Sequence, residues 1–466
     1  MAWNVQQQIA DAYYSEAQWA VVSDSTYIYS VGHGYNAAGA QAYMVTEKRQ
    51  ISDGTLTWKK GTWGERETYG LCVAQDGTRV FAAGENRTKN LGIIRTYLLN
   101  GNTSWSYIPT VVGVDICSYY NAIDVDDDYV YLVGPDAWVD DFHVEARNKT
   151  TGVQAWVSAV GSGGDQATDV RVYDGYVYAC GFLWDGVGGY TPRVVRLSTS
   201  SSGTLDWGIS DTDLAVTTYG YRKLDVDSTG IYIASQADFS TQAYFTLRQL
   251  ALADGSTSWS VQVTGALGGQ MGTVEDVLIL GTKLYIIYTE DVGLGTQYII
   301  ESRDTSDGSF IAYDSFTAYT EVFKAITGLS NAPAADEIVA VGAYPQTDPS
   351  YNYSYWNDFL AATAGGTGTA LTLTLADGVV FSDSNTLAVG YNLILSDGII
   401  ISDSKSFGMS AVLSDVVIIS ETANATLRGI WTKIYNLISS DNWTKLNKLT
   451  SIWTKKSKSS GPWVKR

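Results

Sequence analysis

The chain has 466 residues, of which 45% are hydrophobic and 12% aromatic, and its formal net charge is -19. This apolar content excludes general disorder, and the acidic charge opposes binding to phosphate backbones, so nucleic acid is not an expected partner. The 32 Tyr and 15 Trp favour β-strands over helices.

Targeting and metal-binding signals are weak along the whole sequence. Residues 1–8 lack a basic stretch followed by an apolar run, so no signal peptide is expected, and no apolar window is long enough to predict membrane insertion. Cys72, Cys117 and Cys180 are widely spaced in apolar contexts, which favours buried thiols over disulfides or a zinc site. We therefore expect neither a metal nor a cofactor.

A turn followed by Trp recurs along the first three-quarters of the chain with a constant offset from Gly to Trp. The copies end at Trp58, Trp105, Trp156, Trp207 and Trp259. A sixth copy, Asp307-Gly308-Ser309-Phe310, is degenerate, and we expect Phe310 to take the place of Trp. With Trp3 counted as the first member, the steps are 55, 47, 51, 51, 52 and 51 residues, which is the spacing of a repeat architecture.

Between these Trp residues lie paired runs of alternating hydrophobicity. The clearest pair flanks Asp174-Gly175, a dipeptide that accepts the positive φ values of a two-residue hairpin loop. A third run and a fourth run that carries the Trp complete each unit. Each unit of about 50 residues is therefore predicted to form four short antiparallel strands, the content of one propeller blade.

The phase of the repeat predicts how the ring closes. The chain begins within a fourth strand at Trp3, whereas the seventh unit ends after its third strand near residues 356–362. Pairing residues 3–8 with that unit would remove an open sheet edge. We therefore predict an all-β fold: a seven-bladed β-propeller over residues 1–362, closed by the N-terminal strand and followed by short β-repeats and an extended basic C-terminal arm.

These motifs resemble two groups of propeller repeats. The Gly-x-x-x-Trp units resemble pyrroloquinoline-quinone-like proteins, and residues 163–172 with Asp174-Gly175 and Val177-Tyr178 resemble the bacterial seven-bladed repeat family. The resemblance implies that the repeated Trp docks against the next blade. It implies little about function, because such propellers serve enzymes, scaffolds and receptors.

One face of the predicted propeller is rich in aromatic residues and carboxylates. It collects the loops between second and third strands and the loops between blades. Flat rings beside acids suit the binding of a sugar, whose C–H face packs on the ring while its hydroxyls bond to the acids. The candidate ligand residues are Trp63, Trp138, Trp184, Tyr190, Tyr344, Tyr353 and Trp356. The alternative is that these side chains pack over the blades or contact another protein.

Catalytic signals are sparse, and no catalytic residue is assigned. His33 and His143 are the only histidines, and neither lies near a nucleophile motif. Acid-rich loops leave a glycosidase with paired carboxylates as an alternative. The acidic run 124–128 could bind Ca²⁺, but it lacks the Gly and the distal Glu of an EF-hand loop, so a solvated turn is favoured.

The sequence changes character after a Gly-rich linker at 363–370. In the β-repeat region 371–423, residues 373–384 recur at 393–404, and a third copy spans 412–422. These copies are expected to stack on one another, on the propeller or on neighbouring chains.

The last segment, residues 424–466, carries nine Lys and Arg against one acid. Its regularly spaced Trp and Lys residues predict an arm that docks on an acidic partner, with each Trp as an anchor and each Lys as a rim charge. The attachment residues are Trp431, Lys433, Trp443, Lys445, Trp453, Lys455 and Trp463.

This tail resembles, in composition, repeats near the ends of virion proteins of tailed phages and related viruses. The resemblance implies a non-enzymatic virion structural protein in the tail, a fibre or the capsid surface, assembled in the host cytoplasm in many copies. Its propeller would bind the host surface or a glycan, and its C-terminal repeats would hold it to other virion proteins. The alternatives are a glycan-degrading propeller enzyme on a virion and a cellular propeller scaffold.

Overall fold

The structure of the chain is a computed structural model. It describes residues 4–7, 16–35, 41–52, 54–62, 67–108, 117–136, 141–160, 164–184, 189–200, 202–210, 220–235, 244–293, 296–317, 322–328, 337–345 and 352–360, and eight short strands after residue 370. Every regular element in these ranges is a β-strand, as the composition predicts. None of the described segments is a helix that could cross a membrane. The chain divides into two compact units, Met1–Ala362 and Thr363–Arg466.

The first unit opens with β1 (Asn4–Gln7) and continues with sheets of four consecutive antiparallel strands. Sheet 1 contains β2 (Glu16–Ser23), β3 (Tyr27–Tyr35), β4 (Ala42–Gln50) and β5 (Leu56–Gly61). Sheet 2 contains β6 (Thr68–Gln75), β7 (Arg79–Asn86), β8 (Leu91–Leu98) and β9 (Thr103–Tyr107). Sheet 3 contains β10 (Ala122–Val125), β11 (Tyr129–Pro135), β12 (Phe142–Asn148) and β13 (Gln154–Val160).

Three further sheets follow the same plan. Sheet 4 contains β14 (Gln166–Tyr173), β15 (Tyr176–Trp184), β16 (Tyr190–Ser198) and β17 (Leu205–Ser210). Sheet 5 contains β18 (Tyr221–Asp227), β19 (Gly230–Ser235), β20 (Tyr244–Leu250) and β21 (Thr257–Thr264). Sheet 6 contains β22 (Gln270–Leu280), β23 (Lys283–Asp291), β24 (Thr296–Asp304) and β25 (Phe310–Thr317).

A composite sheet joins the two ends of this unit. It contains β26 (Val322–Gly328), β27 (Glu337–Pro345) and β28 (Asn352–Leu360), and β1 pairs antiparallel with β28 as its fourth strand. The register places Val5 opposite Trp356 and Gln7 opposite Ser354. The N-terminal strand therefore occupies the position that the phase of the sequence repeat predicts for it.

The first strands of the sheets pack against one another in chain order. The order is β2, β6, β10, β14, β18, β22 and β26, and β26 packs back on β2. Hydrophobic clusters fill the spaces between consecutive sheets, as where Val144 of sheet 3 and Val170 of sheet 4 share one cluster. Four-stranded sheets arranged in this way, with their first strands innermost, form a β-propeller.

The local turn chemistry follows the sequence prediction. Asp174 and Gly175 have φ values of 47° and 75°, so both central residues of this hairpin adopt the left-handed region. The predicted thiols are also confirmed, because Cys72, Cys117 and Cys180 are free and buried.

Each repeated Trp docks against the turn of the following unit. The Trp105 Nε1–H donates to the carbonyl of Lys149 at 2.9 Å, and a Cβ on Gly152 would lie 2.6 Å from the same indole. Gly152 has a φ of 73°, so its position requires glycine for two reasons. The constant Gly-to-Trp offset therefore encodes an interlocking contact between neighbouring sheets.

The docked Trp residues differ in burial, and Trp156 is the most enclosed at 6% exposed. Trp58, Trp105, Trp207 and Trp259 are half-buried. They lie on the fourth strand, which is the outermost strand of its sheet, so the contact with the next sheet leaves part of each indole in solvent.

The expectation that Phe310 replaces Trp in the sixth copy is wrong. Phe310 lies opposite Arg303, and Ala312 takes the position that Trp259 holds in the preceding sheet. Phe310 comes two residues after the turn glycine, whereas each docking Trp comes four residues after it. The side chain is consequently 52% exposed.

The second unit stacks its repeats in parallel. The strands β29 (Leu371–Leu375), β31 (Tyr391–Leu395) and β33 (Met409–Leu413) form one sheet. A second sheet contains β30 (Val379–Phe381), β32 (Ile399–Ile401) and β34 (Val417–Ile419). Equivalent positions lie opposite each other, as Leu373 does to Leu393, so the copies stack on one another in register. A last antiparallel pair joins β35 (Trp453–Thr454) to β36 (Val464–Lys465).

Candidate functional site

The structure brings two of the predicted ligand residues together at one end of sheet 4. Trp184 ends β15, Tyr190 begins β16, and the two are directly opposite across the strands. Tyr344 and Tyr353 lie opposite each other on β27 and β28, one register position away from Pro345 and Asn352, the pair that corresponds to Trp184 and Tyr190. Trp356 instead lies inside β28, opposite Val341. Trp63 and Trp138 lie outside the described residues.

The Trp184 indole is held from one side and open on the other. Its backbone N–H donates to Asp165 Oδ1 at 2.6 Å, and a Cβ on Gly164 would lie 2.7 Å from the ring. Gly164 has a φ of 78°, so this close approach of backbone to ring depends on glycine. The side chain is 44% exposed, which leaves a fixed aromatic surface facing solvent.

Aromatic and charged residues also lie on the strands at this end of sheet 4. The Tyr190 ring meets Phe182 edge to face, with 4.8 Å between centroids. Arg193, across the sheet, donates from Nη1 to Ser210 Oγ at 2.6 Å and is attracted to Asp165. The exposed ring can pack on the apolar face of a sugar. Asp165 is only 3% exposed and holds the Trp184 backbone, so the half-buried Arg193 is the charged group that can donate to the sugar hydroxyls.

A row of four carboxylates joins the first strands beneath this end. Each accepts the N–H of the residue after it and a second N–H from the first strand of the next sheet. The acceptors are Asp124, Asp169, Asp225 and Asp276, and their second donors are Val172, Leu224, Ile279 and Ile326 at 2.7, 3.0, 2.7 and 2.9 Å. These acids satisfy backbone groups on the inner sheet edges, which would otherwise stay unpaired.

Arg171 and Lys223 supply the countercharge for this row. Arg171 lies 3.2 Å from Asp169 through Nη1 and 3.2 Å from Asp225 through Nε. Burial raises the pKa of Asp276 to about 6, although Lys223 and Arg171 oppose that rise. Asp124 therefore belongs to this structural row and not to a solvated turn with its neighbours 125–128. Its hydrogen bond with Val172 of the next sheet has no signal in the neighbouring sequence.

A β-bulge recurs in the first strand of almost every sheet. One residue is left out of the ladder at Trp19, Leu71, Thr168, Arg222, Glu275 and Lys324. The partner strand has glycine opposite several bulges, and a Cβ on Gly84 or Gly181 would lie 1.9 Å from a carbonyl oxygen of the bulged strand. Gly84 and Gly181 are therefore required by the bulge that each one faces.

His143 lies fully buried between two acids. Its Nδ1 is 3.7 Å from Asp136 and its Nε2 is 3.6 Å from Glu145, which are ion-pair distances. Burial alone would lower the pKa of His143, but the two carboxylates outweigh it and raise the pKa to about 9. Burial likewise opposes the ionisation of Glu145, yet Arg147 and His143 lower its pKa to about 2. At neutral pH His143 and Glu145 therefore carry opposite charges.

We predict that His143 makes stability sensitive to alkaline pH. Because its pKa is raised on folding, its contribution is complete below the unfolded value of about 6.5 and is lost as pH rises through 9, a change on the order of 3 kcal/mol. The melting-temperature difference between the wild type and His143→Gln should therefore shrink between pH 6.5 and pH 9.5.

The other histidine provides the control. Burial and then Arg87 lower the pKa of His33 to about 4, so this ring stays neutral across the whole window. Between pH 7.5 and pH 9.5, where His33 is neutral in both the folded and the unfolded chain, His33→Gln should change the melting temperature by a constant amount. A His143→Gln difference that is constant with pH would contradict the assignment of a charged His143.

Of the residues predicted to attach the chain, only Trp453 lies among the described residues. Trp453 lies in β35, opposite Lys465 of β36. Trp431, Lys433, Trp443, Lys445, Lys455 and Trp463 lie outside the described residues. Among the described residues, His, Cys, Asp and Glu form no group that could hold a metal ion.

Known proteins resemble the chain in fold. No protein-family model and no curated protein sequence matches it. The WD40 β-propeller domain of Doa1 is 10% identical, with a TM-score of 0.45 over 75% of this chain and 94% of that chain. The β-propeller domain of the Trilobed protease from Pyrococcus furiosus is 8% identical, with a TM-score of 0.46 over 75% and 94%. Sqt1 from Chaetomium thermophilum is 12% identical, with a TM-score of 0.46 over 73% and 83%.

Proposed function

We propose that this chain is a non-enzymatic virion structural protein whose propeller binds a host surface or glycan and whose C-terminal repeats attach it to other virion proteins. The observation that carries the binding role is the exposed Trp184 indole, fixed on Gly164 and placed opposite Tyr190. An aromatic surface that is already rigid loses little entropy when a sugar ring stacks on it.

A binding role fits the way the polar groups are used. His33 is neutral and hydrogen-bonded, His143 is charged and buried, and neither has a pKa close to 7, as a general base needs. The buried acids of the first strands bond to backbone N–H groups. A glycan-degrading enzyme would need two further carboxylates at a defined separation around the ligand.

The proposed binding module is a closed ring of seven blades. We take the composite sheet as a seventh blade that closes the ring, because β26 packs against β2 and β1 pairs with β28. A closed ring gives loops a rigid frame, which suits a module that presents a binding face.

Attachment through the C-terminal unit is supported by its repetition and charge. Parallel copies in register form a repetitive backbone surface, and residues 424–466 are basic in an otherwise acidic chain. The expected partners are acidic virion proteins met during assembly in the host cytoplasm, in a multi-copy particle. A cellular scaffold that uses the same two units is the second candidate.

Binding of the purified protein to an array of neutral glycans tests the role of Trp184. Trp184→Ala should weaken binding at least about tenfold, since a stacked aromatic ring is lost. Phe310→Ala is the matched control, because Phe310 is equally exposed but follows a turn between third and fourth strands, at the other end of its sheet. Equal binding by the wild type and Trp184→Ala would overturn the proposed face.

A further inference from the structure

Four of the bulged residues form a polar row along the inner strands, which we call the channel row: Arg222, Glu275, Lys324 and Trp19. They lie on the first strands of sheet 5, sheet 6, the composite sheet and sheet 1, in the order in which these strands pack. First strands line the central channel of a propeller. A bulge turns a side chain away from the ladder, so this row occupies equivalent positions around the channel.

Lys324 contacts two other members of the channel row across sheets. Lys324 Nζ lies 2.6 Å from Glu275 Oε1 and 5.5 Å from the centre of the Trp19 ring. Glu275 also attracts the guanidinium of Arg222. Two cations and one carboxylate leave the row with one net positive charge, in a chain whose overall charge is strongly negative.

Trp19 is fixed in place although it is exposed. Its Nε1–H donates to His33 Nδ1 at 2.9 Å, and the His33 ring packs on Tyr69 with 4.9 Å between centroids. His33 Nδ1 can accept this hydrogen bond only when the imidazole is neutral. The Trp19 side chain is 36% exposed, whereas the Lys324 and Glu275 side chains are 20% and 14% exposed. The row therefore presents an aromatic surface next to partly accessible charges.

We propose that the channel row binds a sugar that carries a carboxylate. The apolar face of the sugar ring packs on Trp19, the carboxylate pairs with Lys324 and Arg222, and Glu275 accepts hydroxyl hydrogen bonds. The ammonium of Lys324 has three donors, so it can keep Glu275 and still bind the ligand. This inference rests on the proposed glycan-binding role and adds a second subsite. The channel row would prefer an acidic sugar, whereas the Trp184 face would bind a neutral one.

The charges of the row exclude two other ligand classes. A polyanion such as nucleic acid or polyphosphate would meet Glu275 and the acidic surroundings of the propeller. A neutral sugar would leave the two cations without a new partner and gain only the stacking contact. A single carboxylate matches the single net positive charge.

Calorimetric titration with three probes tests this subsite: sialyllactose, digalacturonate and lactose. We expect the wild type to bind one or both acidic sugars and to bind lactose at least tenfold more weakly. Lys324→Met and Trp19→Ala should each weaken binding of the acidic sugar at least tenfold. Lys89→Met, an exposed cation outside the row, and Trp184→Ala should retain it. Melting temperatures of all variants identify any that fail to fold, and Lys324→Met keeps an unbranched side chain of similar length beside Trp19.

The outcomes separate this inference from the proposed function. Binding of sialyllactose alone, or of digalacturonate alone, supports the subsite and identifies the source of the carboxylate. Lys324→Met that binds as the wild type does overturns it, as does equal affinity for lactose. If Trp184→Ala loses acidic-sugar binding while Lys324→Met and Trp19→Ala retain it, the channel row is not the binding site and the Trp184 face is supported. Absence of binding to both acidic sugars overturns this inference and leaves the neutral-glycan test of the face unaffected.

Discussion

A chain that lacks residues 1–9 should melt roughly 3–8 °C below the intact protein. The deletion removes β1 and exposes the backbone groups of β28 that pair with it at four residue positions. Lost hydrogen bonds of this number cost roughly 2–6 kcal/mol, and the free edge lets the composite sheet separate from the ring. Differential scanning calorimetry of both chains measures the change.

The matched control removes nine residues from the other end, 458–466. That deletion lies in the second unit and should leave the melting transition of the propeller unchanged. If removing residues 1–9 shifts the transition no more than this control does, β1 contributes nothing to closure.

The elements of the fold that local sequence encodes could be predicted. Asp174-Gly175 carries its turn type in two residues, and the alternating runs around it carry the strands. The repeat also predicted a pairing between distant segments, because its phase places β1 against the last sheet. The misplacement of Phe310 shows the limit of this reasoning, since a spacing counted between aromatics ignores the offset from the turn glycine that fixes the register.

The site was harder to predict because its contacts join distant segments. Asp169 meets Leu224 across 55 positions, and nothing in the neighbouring sequence indicates that bond. The bulges were also missed, although the Gly ending several hairpins, such as Gly84 and Gly181, was a visible signal for them. Trp184 and Tyr190 could be assigned to one face because a single hairpin brings them together.

Asp169→Ala should destabilise the propeller by about 3–5 kcal/mol. The change leaves the buried N–H groups of Val170 and Leu224 without an acceptor and removes one partner of Arg171. The cost combines two unpaired buried donors with a weakened charge pair. Urea denaturation followed by tryptophan fluorescence measures the loss.

Two further variants make this result specific to the carboxylate row. Asp169→Asn keeps one acceptor oxygen and should lose less stability than Asp169→Ala. Asp127→Ala changes an exposed acid of the nearby turn and should stay within about 0.5 kcal/mol of the wild type. Equal losses for Asp169→Ala and Asp127→Ala would show that the inner edges do not depend on these carboxylates.

Truncation at Gly366 tests the proposal that the first unit is displayed and the second unit attaches it. The shortened chain retains the complete first unit, Met1–Ala362, and loses the stacked repeats and the basic arm. The measurement is the copy number of this protein in particles purified after assembly in the host, with the full-length chain as reference. The proposed function predicts a folded propeller with an unchanged melting transition that is absent from the particles. Incorporation of the truncated chain at the copy number of the full-length protein would contradict it and would assign attachment to the propeller.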